Sequence, residues 1–257
     1  MRRSRGNTPN AKEEMTLLGH PILTVDDARA WEAQLFNGDP DKVWSAMTAA
    51  GSAIASAVID DCDEMGGFPL AGRLLILAGK GHNGGDALLA AAEILARYPA
   101  ARAEVMCVFP QNNWRPLARR AWRRFSAVGK GRVRRLSPLD LFPAGTRYTV
   151  ALDGVFGFQF RPPLDARVQD LLEKVNRLPI RLRAAVDLPS AGVFKADFTY
   201  ATGIVKTPAL NTAVAGRVRY LDLGFFGPEA PGGNRVLTRS VIAPLAALRA
   251  PASDKRT

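Results

Sequence analysis

The stretch LLILAGKGHNGGDALLAAAEILARY, residues 74–98, places an apolar run, a glycine-rich turn and an alanine-rich run directly one after another. The first run has the length and composition of a buried strand, and the last has those of a helix. Gly79, Gly81 and Gly84 fall in the spacing G-x-G-x-x-G, which lets backbone N–H groups approach an anion at the start of a helix. Such a unit restricts the fold, because it is a building block of open parallel sheets.

Strand-like and helix-like segments alternate along most of the chain. The unit above is followed by the strand AEVMCVF, a basic helix, the strand YTVALDGVFG, the helix DARVQDLLEKVNRL and the strands RAAVDLP, ADFTYATGIV and GRVRYLDLGF. Two helical patterns, TVDDARAWEAQLF and VWSAMTAAGSAIASAVIDDC, precede the first predicted strand. We therefore predict an α/β fold, a Rossmann-like three-layer sandwich with a mostly parallel central sheet and helices on both faces.

Composition excludes several classes of protein. The 257 residues are 47% hydrophobic and 23% charged, which is ordinary for a globular protein. Cys62 and Cys107 are too far apart for a metal-ligand motif and form no disulfide framework. We find neither the ~18 consecutive apolar residues of a membrane span nor the apolar region of a secretory signal. We expect a cytoplasmic protein with reduced, inert thiols and no membrane partner.

The net charge of +11 raises the question of a nucleic-acid partner. Much of it lies in WRPLARRAWRRFSAVGKGRVRRL, residues 114–136, where aromatic and apolar residues at helical spacing alternate with arginines. One interpretation is a surface that contacts phosphate or RNA, and the other is an arginine-rich solvent face. We favour the solvent face, because nucleic-acid binding usually requires a whole basic face rather than one helix.

Polar residues follow the predicted strands at the edge where their carboxyl ends meet. They are Asn83, Asp86, Asp153, Asp187 and Ser190. In a parallel sheet this edge forms the ligand crevice, and oxygen donors of this kind suit a hard cation rather than zinc. Simpler interpretations exist for each residue: the sequence NGGD could be a tight turn in which Asp86 caps a helix that starts near it, and the other acids could satisfy loop N–H groups.

A dinucleotide-dependent oxidoreductase is the first function that the glycine spacing suggests. That motif also requires an acidic residue about 20 positions later, at the end of the second strand, for the ribose hydroxyl. Here the second strand ends VMCVFPQNN, without a carboxylate. The pattern therefore favours a phosphate-binding loop but not a hydride-transfer site.

Four motifs in order resemble the NAD(P)H-hydrate epimerase family, whose domain is also called YjeF N-terminal. AGKGHNGGDALLAA resembles the family's G-x-G-N-N-G-G-D-G, ALDGVFG its D-A-x-F-G, AVDLPSAG its D-x-P-S-G, and ADFTYATGIVK its A-D-x-T-x-T-F-x-x-x-K. The resemblance covers about residues 24–226 and also includes AMTAAGSAIA and the strand GRVRYLDLG. It implies an isomerase that interconverts the R and S epimers of NADHX and NADPHX, the hydrated and damaged forms of the cofactors.

The resemblance also implies roles for individual residues. Asp187 would be the catalytic acid or base, and one K⁺ per subunit would be bound by Asn83, Asp153 and Ser190. The substrate NAD(P)HX would contact His82, Asn83, Gly84, Gly85, Asp86, Gly157, Phe158, Gln159, Phe160, Arg161, Pro162, Pro163 and Asp187. No redox cofactor is expected. The family further implies a homodimer and, as functional partner, an ADP- or ATP-dependent NAD(P)H-hydrate dehydratase.

Three departures from the family pattern leave a second hypothesis open. His82 replaces an asparagine, Gly154 replaces an alanine, and the segment after Ser190 is shorter than usual. The alternative is a non-catalytic scaffold of this fold that binds a nucleotide and contacts a protein or RNA. For the domains we predict a flexible arm (1–19), an epimerase-like domain (20–230) and a C-terminal tail (231–257) resembling a linker to a dehydratase domain.

Overall fold

The computed structural model describes residues 19–137, 142, 145–227, 232, 235–237 and 241–242. The described strands are β1 (Gly19–Leu23), β2 (Arg73–Ala78), β3 (Arg102–Cys107), β4 (Val133–Leu136), β5 (Tyr148–Gly154), β6 (Ile180–Val186), β7 (Phe198–Thr202), β8 (Val205–Lys206), β9 (Arg217–Leu221), β10 (Arg235–Leu237) and β11 (Val241–Ile242). The described α-helices are α1 (Val25–Phe36), α2 (Pro40–Glu64), α3 (His82–Arg97), α4 (Pro116–Val128), α5 (Ala166–Asn176) and α6 (Thr207–Asn211).

Eight strands form the central sheet in the order β11-β9-β7-β6-β5-β2-β3-β4. Every neighbouring pair is parallel except β11 with β9. The order of the strands reverses between β2 and β5: β3 and β4 follow on one side of β2, and β5, β6, β7 and β9 follow on the other. Ligands bind at such a point in open parallel sheets. A smaller sheet, β10-β1-β8, lies near the carboxyl ends of the central strands. Lys206 at the end of β8 contacts Asp187, which directly follows β6.

The two faces of the sheet bury separate hydrophobic clusters. Leu74 and Ile76 point into a cluster with α2, α3 and α4, whereas Leu75 and Leu77 point into a second cluster with α5. This alternation is the period of a strand that is covered on both faces. The prediction of a three-layer α/β sandwich with a mostly parallel sheet is therefore confirmed.

Helix α2 is long and apolar enough to cross a membrane by length and composition. Ile54, Val58 and Ile59 of this helix are buried in the first cluster. One face of α2 therefore packs into the hydrophobic core.

Two element boundaries differ from the prediction. The helix of the glycine unit starts at His82 and not near Asp86, so Asp86 lies inside the helix and does not cap it. The basic segment is not one helix, because α4 ends at Val128 and β4 follows. Gly131, with φ of 76°, separates the two elements in the left-handed conformation that glycine adopts easily.

A strand that the sequence did not predict precedes the two leading helices. β1 pairs in parallel with β8 and antiparallel with β10. Only Gly19 of β1 belongs to the predicted arm, and the strand gave no clear signal in the sequence because it is short and contains Pro21. The predicted arm otherwise lies outside the described residues, as does the predicted tail apart from residue 232, β10 and β11.

Candidate active site

The glycine loop brings the ends of β2 and β5 against the first turn of α3. A Cβ atom on Gly79 would lie 2.1 Å from the carbonyl oxygen of Val155, and one on Gly84 would lie 2.2 Å from that of Gly79. A Cβ on Gly154, where the resembled family has alanine, would lie 2.6 Å from the carbonyl oxygen of Asn83. Only glycine fits this backbone packing. No side chain caps the start of this 16-residue helix, so its first N–H groups are available to an anion.

Asp153 and Ser190 form a buried pair behind this loop. Ser190 donates to Asp153 from its backbone N–H at 2.8 Å and from its Oγ at 2.6 Å, and Ser190 Oγ accepts from the N–H of Phe156 at 2.9 Å. Both side chains are fully buried. Burial raises the pKa of Asp153 to about 6, although the hydrogen bonds from Ser190 and Val155 lower it. In the described part of the chain no lysine or arginine is paired with this carboxyl.

The amide of Asn83 connects the same region to the end of β6. Its Nδ2 donates to the carbonyl oxygens of Phe156 at 2.8 Å and Val186 at 2.9 Å. Its Oδ1 faces Gly157, where a Cβ would lie 3.1 Å away. The structure therefore brings together carboxylate, hydroxyl, amide and carbonyl oxygens at one strand edge.

Asp187 lies in a tight turn directly after β6. The Leu188 N–H donates to the carbonyl of Val186 at 2.8 Å, and Asp187 between them has φ of 65°. This left-handed conformation is uncommon for a non-glycine residue, and such residues concentrate at functional sites. The turn directs a carboxylate that is only 5% exposed towards Lys206 at the end of β8. Lys206 Nζ donates to Asp187 Oδ1 at 2.7 Å.

Two more carboxyl groups face the same lysine. Glu32, on α1, has Oε1 3.8 Å from Lys206 Nζ. Burial raises the pKa of Glu32, the charge of Asp187 adds to this effect, and Lys206 opposes it. Burial also raises the pKa of Asp86 well above its ordinary value, with further contributions from Asp187 and Glu32. Asp86 Oδ1 has no hydrogen-bond partner among the described residues.

These groups line one cavity of about 480 Å³. This volume is in the range that small-molecule and cofactor sites occupy. The cationic residues of its wall, besides Lys206, are Lys80, Arg115 and Arg161. Its aromatic residues are Phe36, Phe109, Phe156, Phe158, Phe160 and Phe225. Acidic, cationic and aromatic groups thus surround a space with room for part of a dinucleotide.

Most of the residues proposed from the sequence line this cavity. His82, Asn83, Asp86, Gly157, Phe158, Gln159, Phe160, Arg161, Pro163 and Asp187 line it. Gly84, Gly85 and Pro162 do not belong to its described lining. Gly84 packs on Gly79, and Gly85 packs against α2, because its Cβ would lie 2.4 Å from Met47 Cε. The proposed cation ligands Asp153 and Ser190 lie buried behind the wall.

Sequence reasoning gave no role to Lys206 or Glu32. A signal existed for Lys206, since it directly follows the buried residues Ile204 and Val205 in the motif ATGIVK. An isolated lysine at the end of a buried strand indicates a buried charge pair. Glu32 carried no such signal, because its position depends on how α1 docks.

His82 replaces an asparagine of the resembled family and lies at the start of α3. Its pKa is lowered, first by burial and then by the charge of Arg115. The neutral imidazole is therefore the favoured form, and His82 offers one ring donor and one ring acceptor to the cavity.

Two of the four arginines of α4, Arg120 and Arg124, have side-chain partners within the described part of the protein. Arg124 binds Glu93 at 2.8 Å. The Arg120 guanidinium lies 4.2 Å from the centre of the Trp44 ring, and it is 3.7 Å from Asp41. Because these arginines have intramolecular partners, the geometry favours the interpretation of a solvent face.

Comparisons with known proteins converge on one family. The family model described as "YjeF-related protein N-terminus" matches residues 45–210. A protein of Bordetella pertussis named NAD(P)H-hydrate epimerase is 39% identical over 127 residues, which cover 48% of this chain and 50% of that protein. A Microbacterium testaceum protein of the same name is 31% identical over 221 residues, covering 78% of this chain and 77% of that protein.

One longer relative and one solved structure extend these comparisons. The "Bifunctional NAD(P)H-hydrate repair enzyme Nnr" of Gloeobacter violaceus is 36% identical over 160 residues, which are 62% of this chain and 28% of that protein. The crystal structure of the yeast protein ynu0 (YNL200c) matches with a TM-score of 0.59 at 18% identity, over 87% of this chain and 99% of the yeast chain. At that identity the likeness supports the fold alone.

Proposed function

This chain belongs to the YjeF-related N-terminal family, and from that premise we propose that it is an NAD(P)H-hydrate epimerase that interconverts the R and S epimers of NADHX and NADPHX. The observation that carries the proposal is the buried Asp187 carboxylate, held by Lys206 at 2.7 Å in the wall of a cavity beside a glycine loop. Relatives named NAD(P)H-hydrate epimerase support the same activity.

The cavity has the groups that a dinucleotide substrate requires. The free N–H groups at the start of α3 suit a pyrophosphate, and Lys80, Arg115 and Arg161 add positive charge at the same wall. The neighbouring rings of Phe156 and Phe160, whose centres are 4.6 Å apart, offer faces for aromatic bases. These features support a substrate that combines phosphate with planar rings.

The chemistry of the substrate requires proton transfer but no redox step. The C6 atom of hydrated nicotinamide carries a hydroxyl group and is bonded to the ring nitrogen, so its configuration inverts by reversible loss of the hydroxyl or by ring opening. Either route needs a positioned acid or base. Asp187 lies in the cavity wall, and its hydrogen bond with Lys206 fixes its orientation. We assign it as a catalytic acid–base residue.

The donor set beside the cavity fits a potassium ion. Asp153 is a fully buried carboxyl without a cationic partner among the described residues, and buried charges are normally paired or bound to metal. Ser190 Oγ lies beside it, and Asn83 reaches the Phe156 carbonyl next to this pair. A bound K⁺ would neutralise the Asp153 charge and hold the two strand ends in place. No described cluster of His, Cys, Asp or Glu has the composition of a transition-metal site.

The partner and the assembly are also proposals. The G. violaceus relative has a name that describes a bifunctional repair enzyme, and this chain spans 28% of its length. We propose that a dehydratase, which consumes one epimer, is the functional partner of this chain. A homodimer is proposed from the family resemblance.

The decisive test is the interconversion of purified R-NADHX and S-NADHX, followed by chromatography with and without potassium. Asp187→Asn should abolish the acceleration. Asp170→Asn, which removes an exposed carboxylate paired with Lys174 on α5, should not change it. A wild-type protein that is no faster than buffer but still binds the nucleotide would favour the scaffold alternative instead.

A further inference from the structure

Inversion at C6 by loss and return of the hydroxyl requires two proton transfers at opposite faces of the ring. One group must protonate the departing hydroxyl, and another must accept a proton from the water that returns. Asp187 supplies one such group. The second group must be a different residue, and its assignment rests on the proposed epimerase function.

Glu32 occupies the position that a second group would need. Lys206 Nζ is 2.7 Å from Asp187 Oδ1 and 3.8 Å from Glu32 Oε1, so the two carboxyl groups flank one ammonium group. All three residues line the cavity. The Glu32 side chain is 22% exposed, which leaves it accessible to a substrate in that cavity.

The position of Glu32 is fixed by the docking of α1. Thr24 caps the helix by accepting the N–H of Asp27, and Ala28 is fully buried. The Trp31 indole N–H, directly before Glu32, donates to the carbonyl of Phe225 at 3.0 Å. Because the adjacent residue is anchored, the Glu32 carboxyl is directed to the cavity by the fold.

We propose that Glu32 is the second acid–base residue of the epimerase and acts on the same substrate carbon as Asp187, from the other side of Lys206. When one of the two carboxyl groups is protonated, Glu32, Asp187 and Lys206 together carry no net charge, since the Lys206 ammonium balances the other carboxylate. This arrangement allows one carboxyl group to donate while the other accepts.

The reaction balances in both atoms and electrons. Protonated Glu32 gives its proton to the C6 hydroxyl, the C6–O bond breaks, and its electron pair leaves with the water. The N1 lone pair forms the C6=N1 double bond of a cationic ring. A water oxygen then bonds to C6 from the opposite face, the π pair returns to N1, and the Asp187 carboxylate takes the extra proton. The reverse epimerisation starts from this protonation state, and proton exchange with water resets it for another forward turnover.

The electrostatics of the site support a protonated Glu32. Burial and the Asp187 charge raise its pKa, and Lys206 only partly opposes them. Asp86 is the competing candidate, because its pKa is also raised by burial and its Oδ1 lacks a partner among the described residues. Unlike Glu32, Asp86 forms no described ion pair with Lys206. The two candidates are separable by mutation.

The test compares Glu32→Gln, Glu32→Asp, Asp86→Asn and the control Glu93→Gln, a surface glutamate that binds Arg124. Glu32→Gln should lower kcat at least about 10²-fold and leave KM within about threefold. Glu32→Asp should retain part of the activity. Glu93→Gln should match wild type, and circular dichroism should verify that all variants are folded.

The pH profile separates a chemical role from a structural one. Donation requires protonated Glu32, so wild-type kcat/KM should fall as pH rises through the Glu32 pKa, and Glu32→Gln should lose this alkaline limb. If wild type epimerises NADHX and Glu32→Gln is equally fast, the role of Glu32 is wrong while the epimerase function stands. Loss of the same limb in Asp86→Asn only would assign the role to Asp86. A wild-type protein without epimerase activity would overturn both.

Discussion

Replacing Lys206 by methionine tests the buried charge cluster directly. Lys206 and Asp187 have side chains that are 2% and 6% exposed, and their charged atoms are 2.7 Å apart. At an effective dielectric constant of about 20, Coulomb's law gives an attraction of about 6 kcal/mol at this distance. Desolvation offsets part of it, but removing one partner leaves a buried carboxylate alone, which costs about 3–5 kcal/mol. We expect Lys206→Met to lower the free energy of unfolding by that amount.

The matched control is an ion pair of equal length on the surface. Lys174 Nζ is also 2.7 Å from its partner Asp170, but these side chains are 50% and 58% exposed. Lys174→Met should therefore cost no more than about 0.5 kcal/mol. Both variants are compared with wild type by urea unfolding at pH 7, together with the double variant Lys206→Met/Asp187→Asn. The double variant should be less destabilised than Lys206→Met, since no unpaired charge is left at position 187. A Lys206→Met loss below about 1 kcal/mol would refute the reasoning.

Three further outcomes follow from the site. Gly84→Ala places a Cβ 2.2 Å from the Gly79 carbonyl oxygen and should destabilise the protein by about 1–3 kcal/mol. Gly81→Ala is the control, because its Cβ meets no atom within 4 Å. Equal thermal unfolding of the two variants would contradict the close backbone packing. Replacing choline chloride by potassium chloride should raise the Tm of wild type and not that of Asp153→Asn, and differential scanning fluorimetry that shows no salt difference would argue against the cation. Because burial lowers its pKa, His82 should stay neutral to a lower pH than a free imidazole, and NMR that shows protonation at the ordinary value would disprove this.

Local patterns in the sequence predicted the central sheet and the groups at its edge. The β2 strand, the glycine loop, Asp153 near the end of β5 and Asp187 directly after β6 are each contained in one short segment. The parallel topology then brings Asp153 and Asp187 together, because consecutive parallel strands end at the same side. The resemblance to a known family added roles but did not change this geometry.

The parts of the structure that the sequence did not predict depend on contacts between distant segments. β1 pairs with β8, and its residues Ile22 and Leu23 lie beside Val205 and Lys206. Neither strand has a strong pattern of its own, since β8 has two residues and β1 has five. Glu32 reaches the site only because this pairing and the contact of Trp31 with Phe225 orient α1. A single-sequence pattern does not reveal such docking.

The pairing of β1 with β8 bears on how this domain should be expressed and truncated. The family match spans residues 45–210, but Glu32 precedes it, and the Phe225 carbonyl that anchors α1 follows it. A protein cut to those limits would lose β1, α1 and β9, and with them one of the two carboxyl groups next to Lys206. The unit that can be inherited as a working site is therefore larger than the segment by which the family is recognised.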